Sequence, residues 1–422
     1  MKKTIPGLLA ALAVASTALV QPALAAPKVE LMHMWTSGDS AAALASLQER
    51  FVAAGGEWVD SAAAGATSGQ MATLRARVLA GDAPTASQLE GLNITEWAAA
   101  GALTSLDDVA EADGWDAVMP DALKRVMVYD GHYVAVPLNI HRINWVYYNP
   151  TLLAELGLDY PKNWDEMLAA VETAQAAGYQ GFHHGGRPWQ DFTLFEGVAL
   201  GVGGVDFYKK AFYDLDEATL QGDTMLEVFQ VFRKLTATFD EAFPGRHYSE
   251  SLKAIGQKQA LFTIMGDWAN ANFISDGYKY GTDFACAPAP QNDGRHPFTI
   301  NSDAFGFFKQ SEPERIEGQK IIARMVFEPQ TQIEFNLKKG SVPARLGLDL
   351  SAFSECQQQS AKDIQTAIDD DSLLMSFAQS MAQPGAISGA AEEVLTTFVA
   401  TPETTAEEGM KLLADAIIAA KS

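Results

Sequence analysis

The segment VELMHMW at residues 29–35, followed by TSGDS at 36–40, has the pattern of a strand that leads through a turn into a helix. The first part is an apolar run of β-forming residues, and the Thr36-Ser37-Gly38 turn ends it. Asp39 or Ser40 then caps a helix, because either side chain accepts hydrogen bonds from the first amides of a helix. The apolar residues of this helix recur every three or four positions, at Leu44, Leu47, Phe51 and Val52. The order strand, turn, helix is the first unit of an α/β domain.

The same order repeats further along the chain. The pattern predicts a helix over Met71–Leu79, a strand over Ala86–Leu89 and a helix over Ile94–Ala100. Alternating strands and helices predict an α/β fold with a mainly parallel sheet. Ligands bind such sheets at the loops that leave the carboxyl ends of the strands, which are residues 35–40 and 90–93 here.

The rest of the chain predicts further strands and helices without repeats or a low-complexity linker. Strands are expected at Tyr133–Pro137, Asn144–Tyr148 and Ala260–Met265, and helices at Trp164–Ala176, Leu373–Ala382 and Ala406–Ala420. Because no linker is visible, any boundary between domains lies inside ordered structure. We therefore expect the chain to cross between its domains more than once.

The first 26 residues have the pattern of a cleavable secretion signal. Lys2 and Lys3 precede an apolar run at Leu8–Val20, and Ala23-Leu24-Ala25 has the form that signal peptidase cuts. The run is shorter than the roughly 18 residues that a membrane span needs, and no later apolar stretch reaches that length. We predict a periplasmic protein that begins near Ala26. A retained membrane anchor is the alternative.

The charge balance excludes some classes of partner. The chain has 53 acidic and 30 basic residues and a net charge of −23, which becomes −25 when the two signal lysines are removed. A surface of that sign repels phosphate backbones and anionic lipid headgroups. We predict a monomer that binds no nucleic acid.

The two cysteines, Cys286 and Cys356, are 70 residues apart. In an exported protein a single pair of cysteines usually forms a disulfide. The alternative is two buried free thiols. Neither cysteine has a neighbouring residue that would make it a catalytic nucleophile.

The sequence offers little support for a catalytic or metal-binding motif. Neither H-E-x-x-H nor G-x-S-x-G occurs, and Gly201–Gly204 follows a helical pattern rather than a strand. His183 and His184 are adjacent, so they cannot share a helix face as metal ligands do. We predict no metal, no cofactor and no enzymatic activity, although the many carboxylates leave a glycosidase pair open.

Aromatic residues give a stronger indication. Of eight tryptophans, Trp35, Trp189 and Trp268 stand beside polar turn residues rather than inside apolar runs. A sugar ring stacks its apolar face on an aromatic ring, while its hydroxyl groups need amide and carboxylate partners. For each tryptophan alone, packing in the core is the alternative. Together they favour a carbohydrate cleft.

Several short motifs occur in the same order as in a known family. They are residues 33–38 (HMWTSG), 76–81 (ARVLAG), 141–145 (HRINW), 148–150 (YNP), 188–191 (PWQD), 265–268 (MGDW), 301–305 (NSDAF) and 339–345 (KGSVPAR). With them the chain resembles the extracellular solute-binding proteins of sugar importers, and in particular their glucose/mannose-binding branch. The resemblance extends from about Val29 to Ala420, and the two cysteines fall where such proteins carry a disulfide.

The resemblance implies a fold of two α/β lobes with a ligand cleft between them. It places residues 27–140 and 301–343 in the N-terminal lobe, and residues 141–300 and 344–422 in the C-terminal lobe. The crossings are expected near 139–141, 298–301 and 342–345. The family performs no chemical step. Instead, a ligand that contacts both lobes shifts the protein to a closed form. The permease subunits of an ABC transporter would bind that form.

The resemblance also implies a set of ligand-binding residues. Trp35 and Trp268 match positions that stack on the sugar, Asp303 one that accepts from hydroxyl groups, and Lys339 one that donates to oxygen. Gln70, Trp189 and Gln190 are further candidates. Four cleft positions depart from the pattern of the glucose-binding relatives: Met34 replaces a tryptophan, Ser40 a glutamate, Glu90 a lysine and Gln383 a histidine. Asp39 is the neighbouring choice if the alignment at Ser40 shifts by one residue.

The departures bear on the identity of the ligand. They change three charged contacts, so we expect the preferred sugar to differ from glucose in substitution or size. Mono- and disaccharides, glycosides and polyols remain open. A sugar-sensing protein for chemotaxis or signalling would use the same cleft, and a carbohydrate-active hydrolase is a third alternative.

Overall fold

A computed structural model of the chain describes Met1 and residues 25–36, 38–63 and 66–421. The predicted signal peptide, residues 1–26, lies outside these residues except for Met1, Ala25 and Ala26. The strands of the described residues are β1 (Lys28–His33), β2 (Glu57–Ala62), β3 (Ala86–Glu90), β4 (Val128–Tyr129), β5 (His132–Tyr133), β6 (Ala135–Pro137), β7 (Asn139–Arg142), β8 (Trp145–Tyr148), β9 (Gln180–Phe182), β10 (Ala260–Met265), β11 (Ala285–Pro288), β12 (Phe298–Asn301), β13 (Asp303–Phe307), β14 (Val342–Pro343) and β15 (Leu373–Met375).

The helices of the same residues alternate with these strands. They are α1 (Gly38–Ala53), α2 (Ala66–Leu79), α3 (Asn93–Ala99), α4 (Asp107–Ala112), α5 (Asp121–Met127), α6 (Pro150–Glu155), α7 (Trp164–Ala176), α8 (Pro188–Tyr208), α9 (Glu217–Leu220), α10 (Asp223–Thr236), α11 (Tyr248–Gly256), α12 (Trp268–Ser275), α13 (Pro313–Phe327), α14 (Pro329–Lys339), α15 (Glu355–Asp369), α16 (Gly385–Ala400) and α17 (Ala406–Lys421). The alternation confirms the predicted α/β class.

The first sheet has the strand order β2-β1-β3-β13-β6. Strands β2 and β3 pair parallel with β1, as the pattern of the first hundred residues predicts. Strand β13 arrives from much later in the chain and pairs antiparallel with both β3 and β6. The sheet is therefore mixed rather than mainly parallel. Its register places Asp303 directly opposite Glu90, at the carboxyl end of β3.

The second sheet has the order β11-β8-β10-β9. Every residue of β10 is buried, which fits a sequence that is apolar at all positions of Ala260–Met265 except Thr263. Strand β10 pairs antiparallel with β8 and parallel with β9. At its carboxyl end the chain turns at Gly266 and Asp267 into α12.

A third sheet joins β14, β7, β12 and β15 in that order. The three segments predicted as crossings thus lie side by side as strands of one sheet. The helix predicted over Leu373–Ala382 is wrong, because residues 373–375 form β15, parallel to β12. The residues that follow bind the buried carboxylate of Glu196, which accepts from Phe377 N at 2.5 Å and Ser376 Oγ at 2.7 Å. Tertiary contacts here override the local helical pattern.

The buried apolar side chains form two large clusters and a smaller one. One large cluster surrounds the first sheet, and it includes Val29, Leu89 and Phe305. The other surrounds the second sheet and the helices that cover it, and it includes Phe195 and Phe262. The smaller cluster lies around Trp145 and Phe273 beside the second sheet. The molecule therefore has two lobes with separate cores.

The lobes meet closely where α12 contacts α1 and α14. Gly340 caps the carboxyl end of α14 and has φ +84°. A Cβ atom built on Gly340 would lie 2.9 Å from the Cβ of Ala271 in α12. A side chain at this position would push the two helices apart, so the contact requires glycine.

Candidate functional site

Polar side chains meet at the edge of the first sheet where β3 ends and β13 begins. Asp303 is buried, and its Oδ1 accepts from Gln88 Nε2 at 2.9 Å. Its Oδ2 accepts from Asn139 Nδ2 at 2.8 Å and lies 3.8 Å from Lys339 Nζ. We call Gln88, Asp303 and Lys339 the polar cluster. Each member comes from a different element, and the carboxylate joins them.

The charge state of Asp303 follows from these contacts. Burial acts to raise the pKa of the Asp303 carboxyl, but the Lys339 ammonium, His141 and Asn139 together outweigh it, so the pKa lies below its usual value. Asp303 is therefore ionised at neutral pH. An ionised carboxylate has about four acceptor positions. The bonds to Gln88 and Asn139 and the contact of His141 Nε2 with Oδ2 use three of them, which leaves one for a hydroxyl group.

His141 connects Asp303 with the second sheet. Its Nδ1 is hydrogen-bonded to Asp267 Oδ1, and its Nε2 lies 3.3 Å from Asp303 Oδ2. Burial acts to lower the pKa of His141, but the charge of Asp267 and the hydrogen bonds with both carboxylates outweigh it, so the pKa is raised. One imidazole thus links a carboxylate at the end of β10 with a carboxylate at the start of β13.

Aromatic residues lie on the other side of His141. Trp268, the first residue of α12, packs its ring edge-on against His141 with centroids 5.2 Å apart. The ring centroids of Trp189 and Trp268 are 6.0 Å apart, and those of Tyr248 and Trp189 are 5.9 Å apart. All three rings are only partly buried. We call Trp189, Tyr248 and Trp268 the aromatic cluster.

The backbone beneath Trp268 is shaped to receive its ring. A Cβ atom on Gly266 would come within 2.3 Å of the Trp268 indole. The glycine of the Met265-Gly266-Asp267-Trp268 motif therefore allows the ring to lie across the chain. The same motif supplies the carboxylate that holds His141.

Trp35 occupies a different environment from Trp268. Only 6% of its surface is exposed, and its ring packs against Phe335 at 5.8 Å and Phe305 at 6.4 Å. Lys339 Nζ lies 5.3 Å from the centroid of the Trp35 ring. Trp35 therefore supports the polar cluster from below and shows little free ring surface in this conformation.

Three of the other predicted residues lie close to the polar cluster. Gln70 Nε2 donates to the backbone oxygen of Gln88 at 2.7 Å, and Met34 N donates to Gln88 Oε1 at 3.2 Å. Glu90 is 9% exposed and stands opposite Asp303 in the sheet register. The structure therefore brings Met34, Gln70 and Glu90 together around Gln88 and Asp303.

The remaining predicted residues have other surroundings. Gln383 Nε2 donates to the backbone oxygens of Phe212 at 2.9 Å and Tyr213 at 2.8 Å, so its amide is committed to the protein. Gln190 is fully buried next to Trp189, and within the described part of the chain neither amide atom has a hydrogen-bond partner. Ser40 is half-buried in the first turn of α1.

Five residues of the site were not singled out from the sequence: Gln88, Asn139, His141, Tyr248 and Asp267. One signal was available for the second and third, because β7 (Asn139–Arg142) is wholly buried although three of its four residues are polar. Buried polar residues on one strand need partners from elsewhere. No local pattern marks Gln88 or Tyr248.

The predicted disulfide is confirmed. Cys286 in β11 and Cys356 in α15 are bonded, with Cα atoms 6.1 Å apart. Cys356 belongs to the smaller apolar cluster, and Cys286 is partly buried and packs against it, as the three rings of the aromatic cluster do. The bond thus joins β11 and α15 at that cluster.

Across residues 25–36, 38–63 and 66–421, no group of three or more His, Cys, Asp or Glu side chains has the arrangement of a metal site. Within the same part of the chain, no helix is long and apolar enough to cross a membrane.

Comparison with known proteins gives close matches over nearly the whole sequence. A profile of the family described as bacterial extracellular solute-binding protein matches residues 36–317. A probable sugar-binding periplasmic protein of Rhizobium meliloti is 41% identical over 413 residues, which is 98% of each chain. A second protein so described, from Brucella suis, is 39% identical over 100% of this chain and 99% of its own.

Solved structures show the same fold at lower identity. The bacterial solute receptor AcbH, described with an exclusive preference for β-D-galactopyranose, matches with a TM-score of 0.77 and 20% identity over 92% of this chain and 97% of its own. A chitin oligosaccharide binding protein has the same TM-score and identity over 93% of this chain and 99% of its own. These matches confirm the two-lobed fold.

Proposed function

The chain belongs to the bacterial extracellular solute-binding proteins, and from that premise we propose that it binds a small carbohydrate in the periplasm for import by an ABC transporter. The observation that carries the proposal is the pairing of an ionised, hydrogen-bonded carboxylate, Asp303, with the partly buried indole of Trp268 across one histidine. A hydroxyl-rich ring with an apolar face needs both kinds of group.

We assign the roles of the site residues from their contacts. Trp268 and Trp189 stack on the sugar, Asp303 accepts from its hydroxyl groups, and Lys339 donates to a ring or hydroxyl oxygen. Trp35 holds Lys339 in place through the contact of the ammonium with its ring. The amide of Gln190, which has no hydrogen-bond partner among the described residues, provides a further donor and acceptor.

The other predicted residues set the shape of the cleft. Met34, Ser40, Gln70 and Glu90 line the side of the first sheet, and Gln383 fixes the chain beside it through its bonds with Phe212 and Tyr213. Glu90 brings a carboxylate where the glucose-binding relatives carry a lysine. We therefore propose that the preferred ligand is a neutral sugar other than glucose, or a glycoside or polyol.

In this proposal the two lobes have the residue bounds that the sequence resemblance implies. Residues 27–140 and 301–343 form one lobe, and residues 141–300 and 344–422 form the other. The strands β7, β12 and β14 are the crossings, and His141 lies on the first of them. Ligand binding favours the closed arrangement because the ligand then contacts both lobes.

The protein carries out no chemical step in this proposal, and it acts as a monomer that presents its closed form to the permease subunits. The cluster of Asp303, Lys339, His141 and Asp267 is already paired within itself. It has the character of a recognition site, whose groups are oriented before the ligand arrives.

A thermal-shift screen of the mature chain tests the proposal. The panel contains glucose, galactose, mannose, glucosamine, several disaccharides and polyols, each tested for both stabilisation and hydrolysis. At 100 times its Kd, a ligand should stabilise the protein by about 2.7 kcal/mol. A carbohydrate that raises the melting temperature and is recovered intact supports the proposal. Stabilisation by no member, or release of hydrolysis products, contradicts it.

A further inference from the structure

A hydrogen bond between α12 and α1 is among the contacts that join the lobes away from Asp303. Asn272 Nδ2, on α12, donates to Asp39 Oδ2, in the first turn of α1, at 2.7 Å. Helix α12 follows β10 of the second sheet, whereas α1 follows β1 of the first. The bond therefore spans the two bodies that must separate when the cleft opens.

The position of Asn272 on its helix connects this bond with the ligand site. Residues four apart lie on the same face of an α-helix, so Asn272 lies on the face that carries Trp268. The carboxylate of Asp39 is also within electrostatic range of Lys339 and Tyr248, one residue from each cluster. One helix face thus presents a ring to the ligand and an amide to the opposite lobe.

Taken alone, the hydrogen bond between Asn272 and Asp39 stabilises the closed arrangement only modestly. A hydrogen bond to a carboxylate is stronger than one between neutral groups. However, the Oδ1 atom of Asn272 is buried and accepts no hydrogen bond from the described residues. Leaving a buried amide oxygen unpaired costs free energy comparable with what one hydrogen bond contributes. Closure without a ligand therefore gains only part of the free energy of a charge-assisted hydrogen bond, and the contacts of the ligand decide the equilibrium.

We propose that Asp39 and Asn272 form a latch between the lobes, which forms on closure and sets how long a bound sugar is retained. The inference rests on the proposed function and adds to it a determinant of residence time. Since the latch forms only after the ligand has entered, it slows dissociation and leaves association unchanged.

An exchange of the two side chains tests the latch. Asn272→Asp places two carboxylates where one hydrogen bond was, and the pair then repels. Asp39→Asn in the same chain restores one amide and one carboxylate with the donor and acceptor reversed. The control is Asp276→Asn, which removes a carboxylate that also interacts with Asp39 and forms no hydrogen bond with it in the structure.

Stopped-flow fluorescence with galactose, glucose and maltose gives the association and dissociation rates of whichever sugar binds the unmodified protein. We expect Asn272→Asp to raise the dissociation rate about tenfold or more, since a charge-assisted bond is replaced by repulsion. The exchanged double variant should return to within about threefold of the unmodified protein. Association rates and the melting temperatures of the unliganded variants should stay nearly constant.

Two results would overturn the latch. One is a dissociation rate that does not change in Asn272→Asp, and the other is a double variant that releases its sugar as fast as Asn272→Asp does. Failure of the proposed function would look different, because the unmodified protein would then bind none of the carbohydrates in the thermal-shift panel.

Discussion

The side chains of the polar cluster already have bonding partners within the protein, whereas the rings of the aromatic cluster are only partly covered. Asp303 and Lys339 are buried and bonded to neighbours, so they contribute to the folded state without any ligand. Trp189, Tyr248 and Trp268 are partly exposed and contact one another mainly through ring edges and tilted faces. Changes to the first cluster should therefore cost both stability and affinity, while changes to the exposed rings should cost affinity alone.

The largest expected effect concerns the disulfide at the small apolar cluster against which the aromatic cluster packs. Replacement of both Cys286 and Cys356 by serine removes a crosslink between residues 70 apart, and should lower the free energy of unfolding by roughly 4 kcal/mol. Denaturant unfolding of the two proteins measures this. Thiol titration of the unfolded, unreduced protein should find no free thiol, and two reactive thiols would show that the bond is absent.

Asp303→Asn tests the polar cluster. The change leaves Lys339 and His141 buried with less opposite charge, which should cost about 3 kcal/mol of stability. It also removes a charged acceptor, so affinity for the sugar should fall on the order of 100-fold. Calorimetric titration and denaturant unfolding measure both quantities. Loss of affinity without loss of stability would contradict this prediction. Asp303 would then behave like the partly exposed rings of the aromatic cluster.

Trp268→Ala tests the aromatic cluster. Loss of the stacking ring should weaken binding by at least about 1 kcal/mol, while the melting temperature of the unliganded protein stays nearly the same. Trp97 provides the control, because it is also partly buried but packs on Phe308, away from the site. Trp97→Ala should lower stability and leave affinity unchanged. A large loss of unliganded stability in Trp268→Ala would identify Trp268 as a core residue.

The smallest expected effect is a pH dependence at the junction of the clusters. The pKa of His141 is raised in the folded protein, so its contribution to stability is complete below the unfolded pKa of about 6.5 and is lost as pH rises through the folded value. The stability difference between the unmodified protein and His141→Gln should therefore be larger at pH 6 than at pH 9. His132→Gln, at an exposed histidine paired with Asp107, is the control and should change less. A difference for His141→Gln that is constant over this range would contradict the raised pKa.

The sequence predicts those site residues whose positions follow from local patterns. The apolar runs of β1, β3 and β10 and the turn residues after them place Trp35, Glu90 and Trp268 at strand ends, and the structure agrees. The resemblance to sugar-binding proteins predicts Asp303 and Lys339, which prove to be paired. Neither source assigns a role to His141, because its two partners are 126 and 162 positions away in the chain.

Two segments show where the surroundings of a residue depend on distant parts of the chain. The chain after Leu373 reads as a helix, yet the buried carboxylate of Glu196 binds its amides and holds it as a strand and loop. Trp35 stands beside polar turn residues like Trp268, but the rings of Phe305 and Phe335 cover it. In both cases the deciding contact comes from a distant segment, which no window of sequence contains.

A crystal structure of the mature chain with the best ligand of the thermal-shift panel would show directly whether the two clusters form the binding site. We predict one sugar between them, with a ring face on Trp268 and hydroxyl oxygens within 3.2 Å of Asp303 and Lys339. A sugar bound elsewhere on the molecule, or one that touches neither Trp268 nor Asp303, would contradict it.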